Sequence, residues 1–286
     1  MSPLSSSVLP AALPGDWPFE IRRPLGEGGY GQVFEAWDST LQRRVALKYL
    51  KAGIGASANH LLQEARAAAS LRHPAFVQVY MVAGGGEGMA IVMELVDGEP
   101  LNRLLPLPAA MALDAAQQIA GAMQEAHDAH LVHGDLKPSN LMMEASGRIR
   151  ILDFGLARRL DPLATQDTLS AQPQGTIAYL APERLLGGAP APSGDIYALG
   201  VILYEMLAGL RPLAGLNGLA LAAAQLQATS DQWHYPDQIA PEAVALIRAL
   251  TAHDPRLRTP SMRDASAAIG ALQHAPVAVP PGRERG

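Results

Sequence analysis

The sequence predicts an α+β protein in which a small β-rich unit precedes a larger helical one. From Phe19 to about Val96 the chain runs in short, β-rich stretches separated by turn signals. After about Gly98, apolar residues recur at helical spacing instead. The 286 residues, 49% of them hydrophobic, suffice for one large domain or for two lobes around a cleft.

Residues 1–15 and 275–286 are rich in Pro, Ser and Gly without periodicity, and are expected to be disordered tails or linkers. Residues 16–97 make the first unit and 98–274 the second, with Met93–Gly98 as the crossing. Strands are expected at 19–25, 31–37, 43–50, 75–83 and 89–96. One helix interrupts them at 57–73, with Ser57 as its N-cap and Pro74 as its stop. The second unit is expected to hold helices at 108–130, 194–209, 216–228, 241–252 and 261–272. A β-pair, 140–144 and 148–154, sits between the first two.

Charge and composition exclude several classes. Net charge is −5, without the basic stripe that a nucleic-acid partner requires. No cysteine is present, which removes disulfides, zinc fingers, Fe–S clusters and thiol catalysis together. The N-terminus lacks a charged region before its short apolar stretch, and the longest apolar run, 196–210, contains Glu205 and falls short of a bilayer span. A cytoplasmic, soluble protein is expected. Only three of the 22 basic residues are lysine: Lys48, Lys51 and Lys137.

The first chemical motif is Gly26-Glu27-Gly28-Gly29-Tyr30-Gly31. Glycines at this spacing can open a helix in a dinucleotide-binding fold or simply make a hairpin turn. Here Gln32–Trp37 alternates like a strand, so Gly26, Gly28 and Gly31 would form a flap whose N–H groups close over phosphates. On the following strand, Lys48 of Val45-Ala46-Leu47-Lys48 can place a compact charge on the α- and β-phosphates of ATP. Glu64, 16 residues on and mid-helix, would hold that lysine; standing alone it would be a solvated helix face.

The second cluster is His133-Gly134-Asp135-Leu136-Lys137-Pro138-Ser139-Asn140. Asp135 is placed to accept a nucleophile's hydroxyl proton, Asn140 to hold a metal ion and Lys137 to offset developing charge. Asp153 of Asp153-Phe154-Gly155 adds a second carboxylate, and these oxygen ligands suit Mg²⁺. His133 is read as packing under Phe154 rather than as a base. The other histidines, His127 among them, show no ligand-like cluster with carboxylates. The three tryptophans are scattered core or surface anchors.

Taken together and in this order, these motifs resemble the eukaryotic-like protein kinase superfamily, in particular its bacterial Ser/Thr branch, over about residues 19–273. The resemblance implies a bilobal kinase-like fold, ATP and Mg²⁺ as cofactors, and protein serines or threonines as acceptors. It places Leu25, Val33, Ala46 and Met142 around the adenine, Met93 at the back of the pocket, and Glu94–Val96 as a hinge offering backbone hydrogen bonds. It makes Gly175-Thr176 to Ala181-Pro182-Glu183 the end of an activation segment that starts at Asp153. Asp195 becomes the buried anchor of the catalytic loop, and Arg258 the partner of Glu183. Lys137 and Thr176 favour Ser/Thr over Tyr as acceptor.

One position departs from the family. Gly134 stands where an arginine usually pairs with a phosphorylated activation-loop residue. Catalysis is therefore expected not to depend on loop phosphorylation acting there, although Thr165, Thr168 and Ser170 could be autophosphorylated. His-Gly-Asp also resembles small-molecule phosphotransferases of the aminoglycoside and choline type, but the complete Asp-Phe-Gly, the Ala-Pro-Glu segment, Asp195 and Arg258 favour a protein kinase. An ATP-binding pseudokinase scaffold is the other alternative. No required catalytic residue is missing, and two of the three lysines fall at phosphate-facing positions. Substrate identity, activating signal and oligomeric state are not encoded in any motif.

Overall fold

The computed structural model describes residues 17–28, 31–51, 65–66, 69–85, 88–152, 158–159 and 176–274. Five strands make the N-terminal sheet: β1 (Phe19–Gly28), β2 (Gly31–Asp38), β3 (Arg43–Lys51), β4 (Val79–Gly85) and β5 (Gly88–Glu94). They are antiparallel in the order β1-β2-β3-β5-β4. Alternation assigns the faces. Phe34, Ala36, Val45, Leu47, Ala90 and Val92 pack on one side with Phe19. The other side carries Ile91 and Met93, against Ala65 of a helical stretch in which Ala65, Arg66, Ala69 and Ser70 are described. Leu71–His73, which the sequence placed in the 57–73 helix, are described and not helical, and the remaining residues of that prediction, Ser57 included, lie outside the described residues.

Two predicted strands need correction. The 75–83 strand begins only at Val79, and β5 stops at Glu94. The backbone of Ala75–Val77 bonds instead across the lobes: Ile151 N–H donates to Ala75 O (2.6 Å) and Val77 N–H to Ile151 O (3.2 Å). The segment has β propensity, but its partner is a strand about 75 residues away in sequence.

The second lobe contains β6 (Gly98–Pro100), α1 (Ala109–Asp128), β7 (Leu131–Val132), β8 (Leu141–Glu144), β9 (Ile149–Ile151) and β10 (Arg158–Arg159). Then follow α2 (Pro182–Leu185), α3 (Pro192–Ala208), α4 (Gly218–Gln227), α5 (Pro241–Leu250) and α6 (Met262–Gln273). Helix α1 is Ala-rich, which favours helix and lets neighbours approach, and it buries Ala112, Ala115, Ala116, Ile119, Met123 and Ala126 at spacings of three and four. Helix α3 starts with Pro192 in its first turn and ends at Gly209 in the left-handed region (φ 79°). Every position from Asp195 to Tyr204 is buried, so α3 is the axis of the lobe. A Cβ on Gly200 would lie 2.5 Å from Thr251 Cγ2 and 2.8 Å from Leu250 Cβ, so only glycine admits the crossing of α3 with the end of α5. Helix α6 is capped by Ser261, whose Oγ accepts from Asp264 N–H at 3.1 Å. The short strands β6, β7 and β10 and helix α2 escape a periodicity reading, because two to four residues carry no period.

Candidate active site

The N-terminal half of the site is a consequence of sheet register. Val33 pairs with Lys48 and Lys48 with Ile91, while Ala46 pairs with Met93. Cross-strand partners share a face, and Ala46 and Lys48 are two apart, so Val33, Ala46, Lys48 and Met93 stand together on the sheet side opposite Val45 and Leu47. Gly26 faces Val33, Gly28 faces Gly31, and Leu25 sits half exposed in the β1 bulge between them. Lys48 is buried. Glu64, its predicted partner, and Gly29 and Tyr30 of the flap lie outside the described residues.

The hinge behaves differently from a simple strand end. Glu94 N–H donates to Gln78 O (2.9 Å). The Glu94 carboxylate turns to Arg150 on β9, which also donates to Glu144 Oε1 (3.1 Å) and Phe76 O (3.4 Å). Burial pushes the Glu94 carboxyl up, but the Arg150 guanidinium and the Gln78 N–H outweigh it and hold it below the usual carboxylate range. This ion cluster ties the end of β5 to the β8–β9 hairpin, and nothing in residue spacing points to it. Met142 on β8 is part-exposed, between Leu141 and Met143 that face the core.

The catalytic loop follows β7 and is anchored from beneath. Asp195, 1% exposed in the first turn of α3, accepts from His133 N–H through Oδ2 and from Gly134 N–H through Oδ1, both at 2.9 Å. His127 Nε2 donates to the same Oδ2 at 2.9 Å. His127 therefore belongs to the site's support, against the sequence reading that gave it no carboxylate partner. It lies six residues before His133, on the last turn of α1, where only the packing of α1 on α3 brings it to Asp195. Gly134 has φ 74°, the left-handed conformation that glycine adopts at no steric cost.

His133 is fully buried, accepts Asp135 N–H at Nδ1 (3.2 Å) and donates from Nε2 to Leu152 O (3.3 Å). Both ring nitrogens are engaged, so His133 is a structural knot and no base. Leu152 N–H in turn donates to Asn140 O at 2.8 Å. Asp153, the next residue in the chain, lies with Phe154, Gly155, Thr165, Thr168, Ser170 and Gly175 outside the described residues.

Asp135, Lys137, Asn140 and Thr176 converge above this support. Lys137 Nζ donates to Asp135 Oδ2 (2.8 Å) and Oδ1 (3.1 Å) and to Thr176 Oγ1 (2.9 Å). Asn140 Nδ2 donates to Asp135 O (2.9 Å) and Oδ2 (3.2 Å), which orients its Oδ1 away from Asp135. The Lys137 and Asp135 side chains keep 15% and 18% exposure. A part-exposed carboxylate, an ammonium beside it and an amide oxygen with no partner among the described residues form a donor set that fits a hydroxyl acceptor and a hard, oxygen-seeking cation. No cluster of three or more His, Cys, Asp or Glu that could hold a metal occurs among the described residues.

The second predicted anchor is also formed. Arg258, with a side chain 0% exposed, donates to Glu183 Oε1 (2.8 Å) and Oε2 (3.1 Å), and to the carbonyls of Ser193, His253 and Ala252.

Residues 19–268 match the Protein kinase domain family. The chain belongs to the protein kinase family. Serine/threonine-protein kinase PknA of Mycobacterium tuberculosis is 37% identical over 283 residues, covering 93% of this chain and 65% of PknA. Serine/threonine-protein kinase PrkC of Bacillus subtilis is 34% identical over 259 residues, 88% of this chain and 40% of PrkC. PknL of Mycobacterium bovis is 33% identical over 261 residues, 88% of this chain and 63% of PknL. The kinase chain thus covers less than two thirds of the length of each of these relatives. Its sheet and helical lobe are the α+β, two-lobed architecture expected from sequence. No helix among the described residues is long and apolar enough to cross a membrane.

Proposed function

We propose that this kinase transfers the γ-phosphoryl group of ATP to serine or threonine hydroxyls of proteins in the cytoplasm. The observation that carries the reading is the Asp135–Lys137–Thr176 triangle, closed by Asn140 and set on the buried Asp195. The acceptor hydroxyl would donate its hydrogen bond to Asp135, which aligns the oxygen on the γ-phosphorus and takes the proton as the new P–O bond forms. The bond from that phosphorus to the bridging oxygen breaks, and ADP leaves. Lys137 stands beside Asp135 to offset charge on the moving phosphoryl group. Lys48, with the flap glycines Gly26, Gly28 and Gly31, would hold the phosphates. The apolar face of Leu25, Val33, Ala46, Met93 and Met142 would take the base, with the Glu94–Val96 backbone at its edge. Asn140 Oδ1 and Asp153 would hold Mg²⁺, which supplies charge neutralisation for the phosphates when bound. Glu64 would pair with Lys48.

A family match and relatives named as serine/threonine-protein kinases support a protein acceptor over a small-molecule one. Gly134 has no side chain to pair with a phosphorylated loop residue, which supports catalysis independent of phosphorylation through that position. A Thr168→Ala/Ser170→Ala protein should therefore keep most of its activity. Transfer of labelled γ-phosphate to casein tests the reading, with Asp135→Ala as control. A Lys48→Met protein that transfers like the wild type would remove Lys48 from the mechanism.

A further inference from the structure

Helix α4 contains no charged residue, and its buried face is made by Leu221 and Gln225, one turn apart. Its outer face is apolar as well, with Leu219 89% exposed. Gln225 is only 5% exposed. A buried amide on such a helix costs stability unless its hydrogen bonds are made. Its Nε2 donates to Ala178 O (3.1 Å) and Leu180 O (3.4 Å), the two carbonyls that flank Tyr179. Its Oε1 is buried with no hydrogen-bond partner among the described residues, and the amide also interacts with the side chain of Tyr197 on α3.

The turn that Gln225 grips is also held at two other points. At its start, Thr176 Oγ1 accepts from Lys137. In its middle, the Tyr179 hydroxyl donates to Glu205 Oε2 on α3 at 2.6 Å. Gln225 is the hold that α4 supplies. Asp135, Thr176, Tyr179 and Leu180 together line a narrow cleft of about 20 Å³ beside the reacting carboxylate. The wall of this cleft belongs to the helical lobe, whereas Val33, Ala46, Lys48 and Met93 stand on the N-terminal sheet.

We infer that Gln225 is a positioning residue for the acceptor protein: by fixing the Ala178 and Leu180 carbonyls it fixes the turn that sets Thr176 against Lys137 and Asp135. The inference rests on the protein-kinase reading for its acceptor, but the hold itself does not. Removing the amide donor leaves two buried carbonyls unpaired and loosens the turn without touching the nucleotide face.

Gln225→Leu and Gln225→Met are compared with the wild-type chain in three measurements: labelled phosphoryl transfer to casein, ATP hydrolysis without acceptor, and amide hydrogen exchange of Ile177–Leu180. The expected result is a fall in kcat/KM for casein of about tenfold, while KM for ATP stays within about twofold. Exchange at Ile177–Leu180 should rise by about tenfold, with the α1 and α3 amides unchanged. Casein kinetics within about twofold of wild type overturn the inference. So do transfer and hydrolysis falling in parallel with thermal stability, which would mark Gln225 as merely structural. If the wild-type chain transfers nothing to casein, the kinase reading fails by itself, and the exchange measurement still decides the hold: unchanged exchange at Ile177–Leu180 overturns it.

Discussion

The molecule treats two sets of charges in opposite ways. Asp195 and Arg258 are sealed into the helical lobe and heavily bonded: three donors on the Asp195 carboxylate, a carboxylate and three carbonyls on the Arg258 guanidinium. Asp135 and Lys137 are also paired, yet they stay part-exposed. A saturated buried charge has no capacity left for a ligand, and breaking it is costly because the remaining partners stay buried. A pair at the rim can exchange its internal bonds for bonds to an acceptor and a phosphate. The difference separates charges that shape the loop from charges that keep capacity for a ligand.

Substitutions can break this contrast in a graded way. The largest loss of activity is expected for Asp135→Ala, a fall in phosphoryl transfer of about 10²- to 10⁴-fold. Its thermal unfolding should move little, which differential scanning calorimetry would check. Asp195→Ala should fail on both axes, since it strands His133 N–H, Gly134 N–H and His127 together. Unfolding by urea should show a loss of about 3–5 kcal/mol, with transfer falling alongside. An Asp195→Ala protein as stable as wild type would remove the distinction between the two sets.

Gly134→Ala probes the loop conformation without touching a charge. At φ 74° a Cβ costs about 1–2 kcal/mol, so a smaller loss of stability is expected, read from the urea midpoint. A variant no less stable than wild type would show that the loop relaxes out of the left-handed region.

The smallest effect concerns Glu205. Burial pushes its carboxyl above the ordinary value, and the Tyr179 hydrogen bond and the nearby Arg211 only partly offset this. A raised carboxyl pKa means that the folded protein holds the proton more tightly than the unfolded chain. The associated stability is therefore present below the unfolded pKa and lost as pH rises through the folded one. Glu205→Gln cannot ionise but can still accept from Tyr179, so its stability relative to wild type should improve as pH goes from 4 to 7 (melting temperatures across that range would show it). A difference that stays flat with pH would remove Glu205 from the set of strained charges.

Much of the site was legible because it is written in short, local patterns. Loop chemistry at His133–Asn140 and the β3 lysine need only correct residue types at correct spacing, and β-strand alternation was enough to bring Val33, Ala46 and Lys48 to one face. Asp195 and Arg258 were recognisable through resemblance, and their hydrogen bonds have the predicted partners. His127, Arg150 and Gln225 were not legible. Each is an ordinary polar residue on an unremarkable segment, and its partner is 68, 56 or 45–47 residues away in sequence.

By itself the sequence determined the order of the two lobes and the helical and strand periods, and it named the candidate residues for the proposed chemistry. Those follow from side-chain type and short-range spacing, which act within a few residues of chain. The tertiary structure alone decided which buried polar groups are satisfied by whom: the diversion of Ala75–Val77 to Ile151, the turn of Glu94 toward Arg150, His127 under the catalytic loop, and Gln225 on the Ala178 and Leu180 carbonyls. The physical reason is that a polar group taken out of water must find a partner wherever packing has placed one.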